Sequence, residues 1–475
     1  MGVIQFDVGY PKNLPRHGLN YADFVMFDGR IIASDTSIVN GQLRCHRPQP
    51  ESSQLRLLYQ PHADAAPVVT HTTHLREIDR NYRLEVELAR GELSRFRNNH
   101  GAWTGSGLQM TEGLERLMKK SQQMFFRSAM EGGTAAEAIQ SLLVTRDAVG
   151  ELCRLYMAQR LAFRRQRAAH FPVFLGCVLR ELPVNPEAFL TAFSAVSLQA
   201  TWAETEPEDG QYNWDKFDEL VDWATQNKLF VQGGPLINLV HDSFPAWMQL
   251  WRGDLVNLQS FAADFVETVV ARYVGRIRHW EIVCGGNCGG TAGLTEEQRL
   301  NLVMRTVEAA RQVDEQIQIS LRIIQPWGEY LNNSSNRLAP IQFIDTLRRT
   351  GVRIAEVNLD IRFGVGDHRS LPRDLLGLSQ LLDHWSLLQV PLNVVLSLPE
   401  LSPEAEKHTP QLDTMQAQWL RQSMLMCLAK ERVTGIYCDA WQDKESGLGL
   451  VREDGSLHPA CEQIQTLEST CWDQQ

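Results

Sequence analysis

From residue 171 onward the chain repeats one unit, a short apolar strand followed by an amphipathic helix. Strand signals recur in "FPVFLGCVL", "FSAVSLQA", "LFVQGGPLI", "HWEIVC", "IQISLRIIQ", "IAEVNLDI", "LNVVLSL" and "GIYCDA". Helical patterns separate most of them. In "WDKFDELVDWA", Phe217, Leu220, Val221 and Ala224 share one face at the 3.6-residue period. "TEEQRLNLVMRTVEAAR" opens on a Thr295/Gln298 capping box, with Leu300, Val303 and Val307 as its apolar stripe. Strict alternation over roughly 300 residues predicts an α/β fold, a (β/α)8 TIM barrel, better than a doubly wound sheet. No glycine-rich phosphate fingerprint follows the first strand, so dinucleotide binding is not expected and no cofactor is assigned.

The part before the repeat has other patterns. Residues 1–107 read as a β-rich module of sandwich or jelly-roll type. "VMFDGRIIAS" places a hairpin turn at Asp28 and Gly29. "YRLEVELARGEL" alternates Leu84, Val86 and Leu88 with charged neighbours, as a half-buried strand does, and "RNNHGAWTGSG" reads as a loop. Residues 108–170 read as a helical connector with Thr134 and Glu137 as a capping box, and 171–475 as the barrel. The basic run "QRLAFRRQRAAH" fits a solvated helix face.

A formal net charge of −11 argues against nucleic-acid and anionic-membrane partners, both of which select a basic face. No apolar run approaches the ~18 residues of a membrane span. The start, "MGVIQFDVGY", lacks the charged and apolar regions of a signal peptide, so a cytoplasmic location is expected. Nine irregularly spaced cysteines do not form a disulfide framework. Cys284 and Cys288 have no second pair to complete a zinc site, and no metal is assigned.

Several motifs, in order, resemble family 10 glycoside hydrolases, the endo-β-1,4-xylanases. "WAETEPEDGQYNWDKFDELVDWATQN" is similar to that family's W-x-x-T-E-P-x-x-G-x-[YF]-N after the second strand. Trp202, Thr205, Glu206, Pro207, Gly210, Tyr212 and Asn213 carry the match. "FPAW", ending at Trp247, "WEIVCG", "WQDKESG" and "GLVREDGSLHPACEQI" follow in the family's order, so the resemblance covers about 175–467. It implies a barrel acting on or binding a β-linked poly- or oligosaccharide, beside which residues 1–107 are a candidate carbohydrate-binding module.

The departures fall on the chemistry. The family's two glutamates must stand roughly 5–5.5 Å apart, one as acid/base and one as nucleophile. The resemblance assigns the first to Gly285 and the second to the neighbourhood of Leu396. The family's sugar-binding E-N-x-M-K has become "SLQAT", with Leu198 and Thr201 at the Asn and Lys positions, and G-H-x-L-x-W-H has become "GGPLINL". Glu281 shares a side of its strand with Gly285 but lies ~13 Å back along it. It reads as a structural carboxylate.

Other groups gather at the strand ends, where barrel sites form. The fifth strand runs into Gln325, Trp327, Glu329 and Tyr330, which offer a ring to stack on and polar groups for hydroxyls. The sixth brings Asn358 and Asp360, followed by Asp367 and His368. The eighth supplies Asp439, Trp441, Asp443 and Glu445, and Asn287 follows the glycines of the fourth. Two readings result: a catalytically degenerate, glycan-binding barrel, or a working glycosidase with Glu329 and Asp360 as recruited acids. Burial of either carboxylate counts against the second.

Overall fold

The eight apolar segments are the staves of one closed parallel sheet in the computed structural model. It describes residues 2–471 except 28, 63–64, 168–170, 200, 241–243, 252–253, 291–292, 333, 401–408 and 444–447. The strands are Phe174–Leu179, Ala195–Leu198, Phe230–Gly233, His279–Cys284, Gln318–Ile323, Glu356–Ile361, Leu392–Leu396 and Val433–Cys438. Each pairs with the next, and the eighth returns to the first through Tyr437 opposite Gly176. The third meets the fourth through Gly233 opposite Trp280, and Ile237–Asn238 extends that contact beside Val283 and Cys284. The chain therefore forms the expected (β/α)8 barrel.

The connecting helices bury the faces their periodicity marks. Asp215–Gln226 buries Phe217, Leu220, Val221 and Ala224. Glu296–Val313 begins on the Thr295/Gln298 capping box. Its buried stripe runs through Leu302, Val303, Thr306, Val307 and Ala310, while Leu300 is only half-buried at the edge of that face.

The chain divides into two compact units. The barrel unit comprises 168–327, 336–370 and 381–475; the other comprises 1–167 with the two insertions 328–335 and 371–380. In the second unit, two four-stranded sheets share one core that includes Phe6, Phe24, Leu43, Leu55 and Tyr59. Asp23–Met26 pairs antiparallel with Ile31–Ala33 as the hairpin pattern predicts; Asp28 of its turn lies outside the described residues.

The strand expected in "YRLEVELARGEL" is a correction. Only Tyr82–Arg83 is extended, and Leu84–Gly105 is a 22-residue helix that absorbs most of the expected loop. The alternation misled because its charged members are buried too. Glu85 accepts hydrogen bonds from the backbone N–H groups of Gly9 and Tyr10, so no face of that turn is solvated. The β-rich region accordingly ends near residue 83, and Leu84–Gly105 joins Glu112–Ala129 and Ala135–Arg167 in a helical layer of this unit. Thr134 and Glu137 bond reciprocally at the start of the last helix.

Candidate functional site

Period-two side chains put polar groups inside the barrel on neighbouring strands. Deepest are Gln232, Glu281, Ser320, Asn358 and Asn393, all buried and joined by hydrogen bonds. Nearer the carboxyl ends stands Arg322. Its Nε lies 2.9 Å from Glu281 Oε1. Its Nη1 lies 3.9 Å from Asp360 Oδ2 and 3.9 Å from Asp439 Oδ1. Arg362 Nη2 donates to Asp439 Oδ2 at 2.6 Å, and Ser397 Oγ donates to the same oxygen at 3.2 Å.

Above this network opens a cavity of about 490 Å³, the size of small-ligand sites in general. Arg180, Arg322, Asp360, Arg362 and Asp439 line it, with Gln199, Asn238 and Gln442 as neutral hydrogen-bonding groups. The two aspartates are driven apart in acidity. Burial raises Asp360 to about 6, helped by the charges of Asp439 and Glu281 and opposed by Arg362 and Arg322. Burial also works against Asp439, but Arg362, Arg180, Arg322 and the Ser397 hydroxyl outweigh it and hold that carboxyl near 2.

The wall after the fourth strand is apolar. Val240, Cys284 and Ile324 pack together with Cys288 against them. Gly285 adopts φ +74°, and a Cβ built on it would stand 2.1 Å from Val240 Cγ2. Arg299 props the loop beneath, donating to the carbonyls of Gly286 at 2.8 Å and Leu294 at 2.7 Å. Leu396 is buried, and its neighbour Ser397 turns its hydroxyl to Asp439. Neither assigned position carries a carboxylate.

Of the residues marked from the sequence, Asp360, Asp367, His368, Asp439 and Trp441 line the cavity. Trp441 is nonetheless buried, packed on Phe189 and donating through Nε1 to the Val184 carbonyl at 2.7 Å. Asn358 and Glu281 belong to the deeper network, where Asn358 donates to Glu281. Asn287 uses both ends of its amide on the backbone of Ile324, at 2.8 and 3.2 Å. Gln325 donates to the Arg369 carbonyl at 2.7 Å, and Trp327 packs on Phe363. Asp443 accepts from the Gly449 N–H at 2.6 Å, and Glu445 lies outside the described residues.

Glu329 and Tyr330 fall in the insertion 328–335, which clusters with the N-terminal unit. Glu329 is 3% exposed, bonded to the N–H of Leu371 and to Arg373 Nη1. Glu329 and Asp360 belong to different units: one is buried in an ion pair with Arg373, the other lines the barrel cavity. Pairing Glu329 with Asp360 treated the loop as part of the barrel, whereas its hydrogen bonds run to Leu371 and Arg373 of its own unit. Arg322, Arg362 and Arg299 were not marked from the sequence. Strand phase shows only that Arg322 shares a face with Ser320 and Arg362 with Asp360; their ion-pair partners lie on other strands.

The cavity thus stands where a (β/α)8 barrel carries its functional groups, at the carboxyl ends of the strands. Residues 185–458 match the family model described as Glycosyl hydrolase family 10. That is more than half of the chain, and the chain belongs to this family. It is 39% identical over 83 residues to endo-1,4-beta-xylanase 3 of Hypocrea jecorina, covering 17% of this chain and 23% of that protein. It is 29% identical over 85 residues to endo-1,4-beta-xylanase B of Thermotoga neapolitana, covering 18% and 24%. The aligned stretch thus spans about a quarter of each of these curated relatives. Among solved structures, the family 10 protein of Paenibacillus barcinonensis superposes with a TM-score of 0.50 at 16% identity, covering 67% of this chain and 98% of that one. Xylanase 10B of Thermotoga maritima gives 0.50 at 16%, covering 66% and 97%.

Proposed function

We propose that this chain binds a β-linked oligo- or polysaccharide at the mouth of its barrel and does not cleave it by the two-glutamate double displacement of its family. The observation that carries this reading is Gly285. The backbone there is left-handed, the space for a side chain is filled by Val240, and the surrounding wall is apolar. A glutamate could not project from it without moving the loop that Arg299 holds. The choice of occupant follows the family, in which a Cellvibrio japonicus xylanase has been solved with xylopentaose. The cavity supports it through amide, guanidinium and carboxylate groups suited to sugar hydroxyls.

The test pairs two measurements on the full chain. Calorimetry against xylan and mixed-linkage glucan oligosaccharides reports binding. Intact-mass analysis after incubation with 2-fluoro glycosides reports any covalent glycosyl-enzyme. Binding without an adduct is the expected result. An adduct, or no binding to any of these glycans, overturns the proposal.

A further inference from the structure

We propose that the saccharide held at the barrel mouth carries an acidic group, a carboxylate or an ester sulfate, and that Arg180 together with Arg362 binds it. The inference rests on the glycan-binding reading above and names the class of sugar within it. Arg180 follows the first strand, Phe174–Leu179, and Arg362 follows the sixth, Glu356–Ile361. Both therefore stand at carboxyl ends of barrel strands, and both line the cavity.

Arg180 differs from the other arginines of the cavity in being uncommitted. Arg322 is buried and paired with Glu281, and Arg369 is paired with Glu400 at 2.6 Å. The Arg180 guanidinium has neither a hydrogen bond nor an ion pair to any described residue, and the residue is half-buried. Its charge still helps to keep Asp439 ionised, so it acts on the cavity from beyond contact distance of that carboxylate. Arg362 is 23% exposed at its side chain, and among the described residues its guanidinium bonds only through Nη2, to Asp439. A guanidinium offers five N–H donors and no acceptor, in a planar fork that matches two oxygens of a carboxylate or sulfate. A neutral sugar would leave the Arg180 charge partly desolvated and without a counterion.

The acids of the same cavity do not cancel this charge. Asp439 is already met by Arg362 and Ser397. Glu181 accepts from Gln442 Nε2 at 3.0 Å, and Asp367 is exposed to solvent. Burial raises Asp360 to about 6, which makes its charge the easiest to neutralise. The net charge of −11 opposes an anion only at long range. Salt screens exposed charges beyond about 8–10 Å, whereas the two arginines act at contact.

The experiment uses the full chain and a β-1,4-linked glucan oligosaccharide in three forms, with a hydroxyl, a carboxylate or a sulfate at carbon 6. Calorimetry at low salt compares them. We expect at least one charged form to bind about tenfold or more tighter than the neutral one, as hydrogen bonds to a charged group allow. A carboxylate form that binds best marks a uronide and a sulfate form a sulfated sugar; either supports the site. Added salt should shrink the preference. Arg180→Gln should abolish it, and Arg180→Lys should keep part of it. If Arg180→Gln does not fold, the methyl ester of the carboxylate form decides on the parent chain, since it keeps the shape and loses the charge. A neutral form that binds as tightly as both charged ones overturns the inference, as does a preference that survives Arg180→Gln or the ester. Both of these results leave the glycan reading intact. Absence of binding by all three forms and by the xylan oligosaccharides ends both.

Discussion

Val240 Cγ2 occupies the space that a side chain on Gly285 would need, 2.1 Å from the Cβ position. The two residues come from the loops after the third and fourth strands, and their contact seals the wall where the family resemblance places an acid. Substitution at 285 therefore meets two separate obstacles, the left-handed backbone and the filled space.

Gly285→Ala should lower stability by roughly 2–4 kcal/mol, from the left-handed conformation of an L-residue and overpacking together. Gly285→Glu should cost at least as much and create no retaining xylanase. Adding Val240→Ala should recover only the packing part. Urea denaturation of the three variants reads these differences. A Gly285→Glu protein as stable as the parent would contradict the geometry.

The best-matching family motif is bound up with itself. Trp202 Nε1 donates to Glu206 Oε2 at 2.7 Å, and the Gly210 N–H donates to Glu206 Oε1 at 2.9 Å. Trp247 Nε1 adds a bond to the Glu206 carbonyl at 3.1 Å. Hydrogen bonds to a charged group are worth about 1.5–3 kcal/mol each, so Glu206→Ala should destabilise by roughly 2–4 kcal/mol. Its unfolding, followed by tryptophan fluorescence, should shift to lower denaturant without a change in glycan affinity. A loss of binding with stability intact would instead make Glu206 part of the site.

That motif explains why the fold was legible while the site was only partly so. Trp202 and Glu206 hold a loop of the barrel in place whatever reaction the barrel runs, so their resemblance speaks for architecture. The strand "HWEIVC" was readable to the residue, because its apolar run and terminal glycines leave one assignment. Asp360 and Asp439 were visible at strand ends, but their partner Arg322 was hidden in an apolar run. Arg322 meets Glu281, Asp360 and Asp439, which lie 41, 38 and 117 residues away on other strands, and periodicity within one strand does not report such contacts. Glu329 failed for the same reason. Its neighbour Arg373 lies 44 residues on, in the second insertion.

Asp360 gives a signed pH dependence. Its folded pKa of about 6 lies above the ordinary carboxylate value, so between those limits the folded state holds a proton that the unfolded state has released. Its contribution is most favourable at low pH and is lost as pH rises through about 6. Asp360→Asn removes that dependence. It should raise stability at pH 7–8 by on the order of 1–3 kcal/mol relative to the parent and leave it nearly unchanged below pH 4. Thermal unfolding across pH 4–8 checks this, and a variant less stable than the parent at pH 8 would reverse the sign.

Glu329 provides a test in the other unit. It is buried against Arg373, whose guanidinium is also buried and held below its ordinary pKa by burial despite the carboxylate. Removing one member of such a pair leaves a desolvated charge, at a cost of about 3–5 kcal/mol, whereas replacing both by apolar groups is often neutral. Glu329→Leu should therefore be strongly destabilising, and the Glu329→Leu/Arg373→Met double variant should regain most of the loss. Glu329→Gln should fall between them, since its amide can still accept from the Leu371 N–H. None of the three should alter glycan affinity once folded, because Glu329 is not among the residues lining the barrel cavity. Calorimetric binding beside chemical denaturation measures both quantities. A folded Glu329→Gln protein that no longer binds glycan would return this carboxylate to the site.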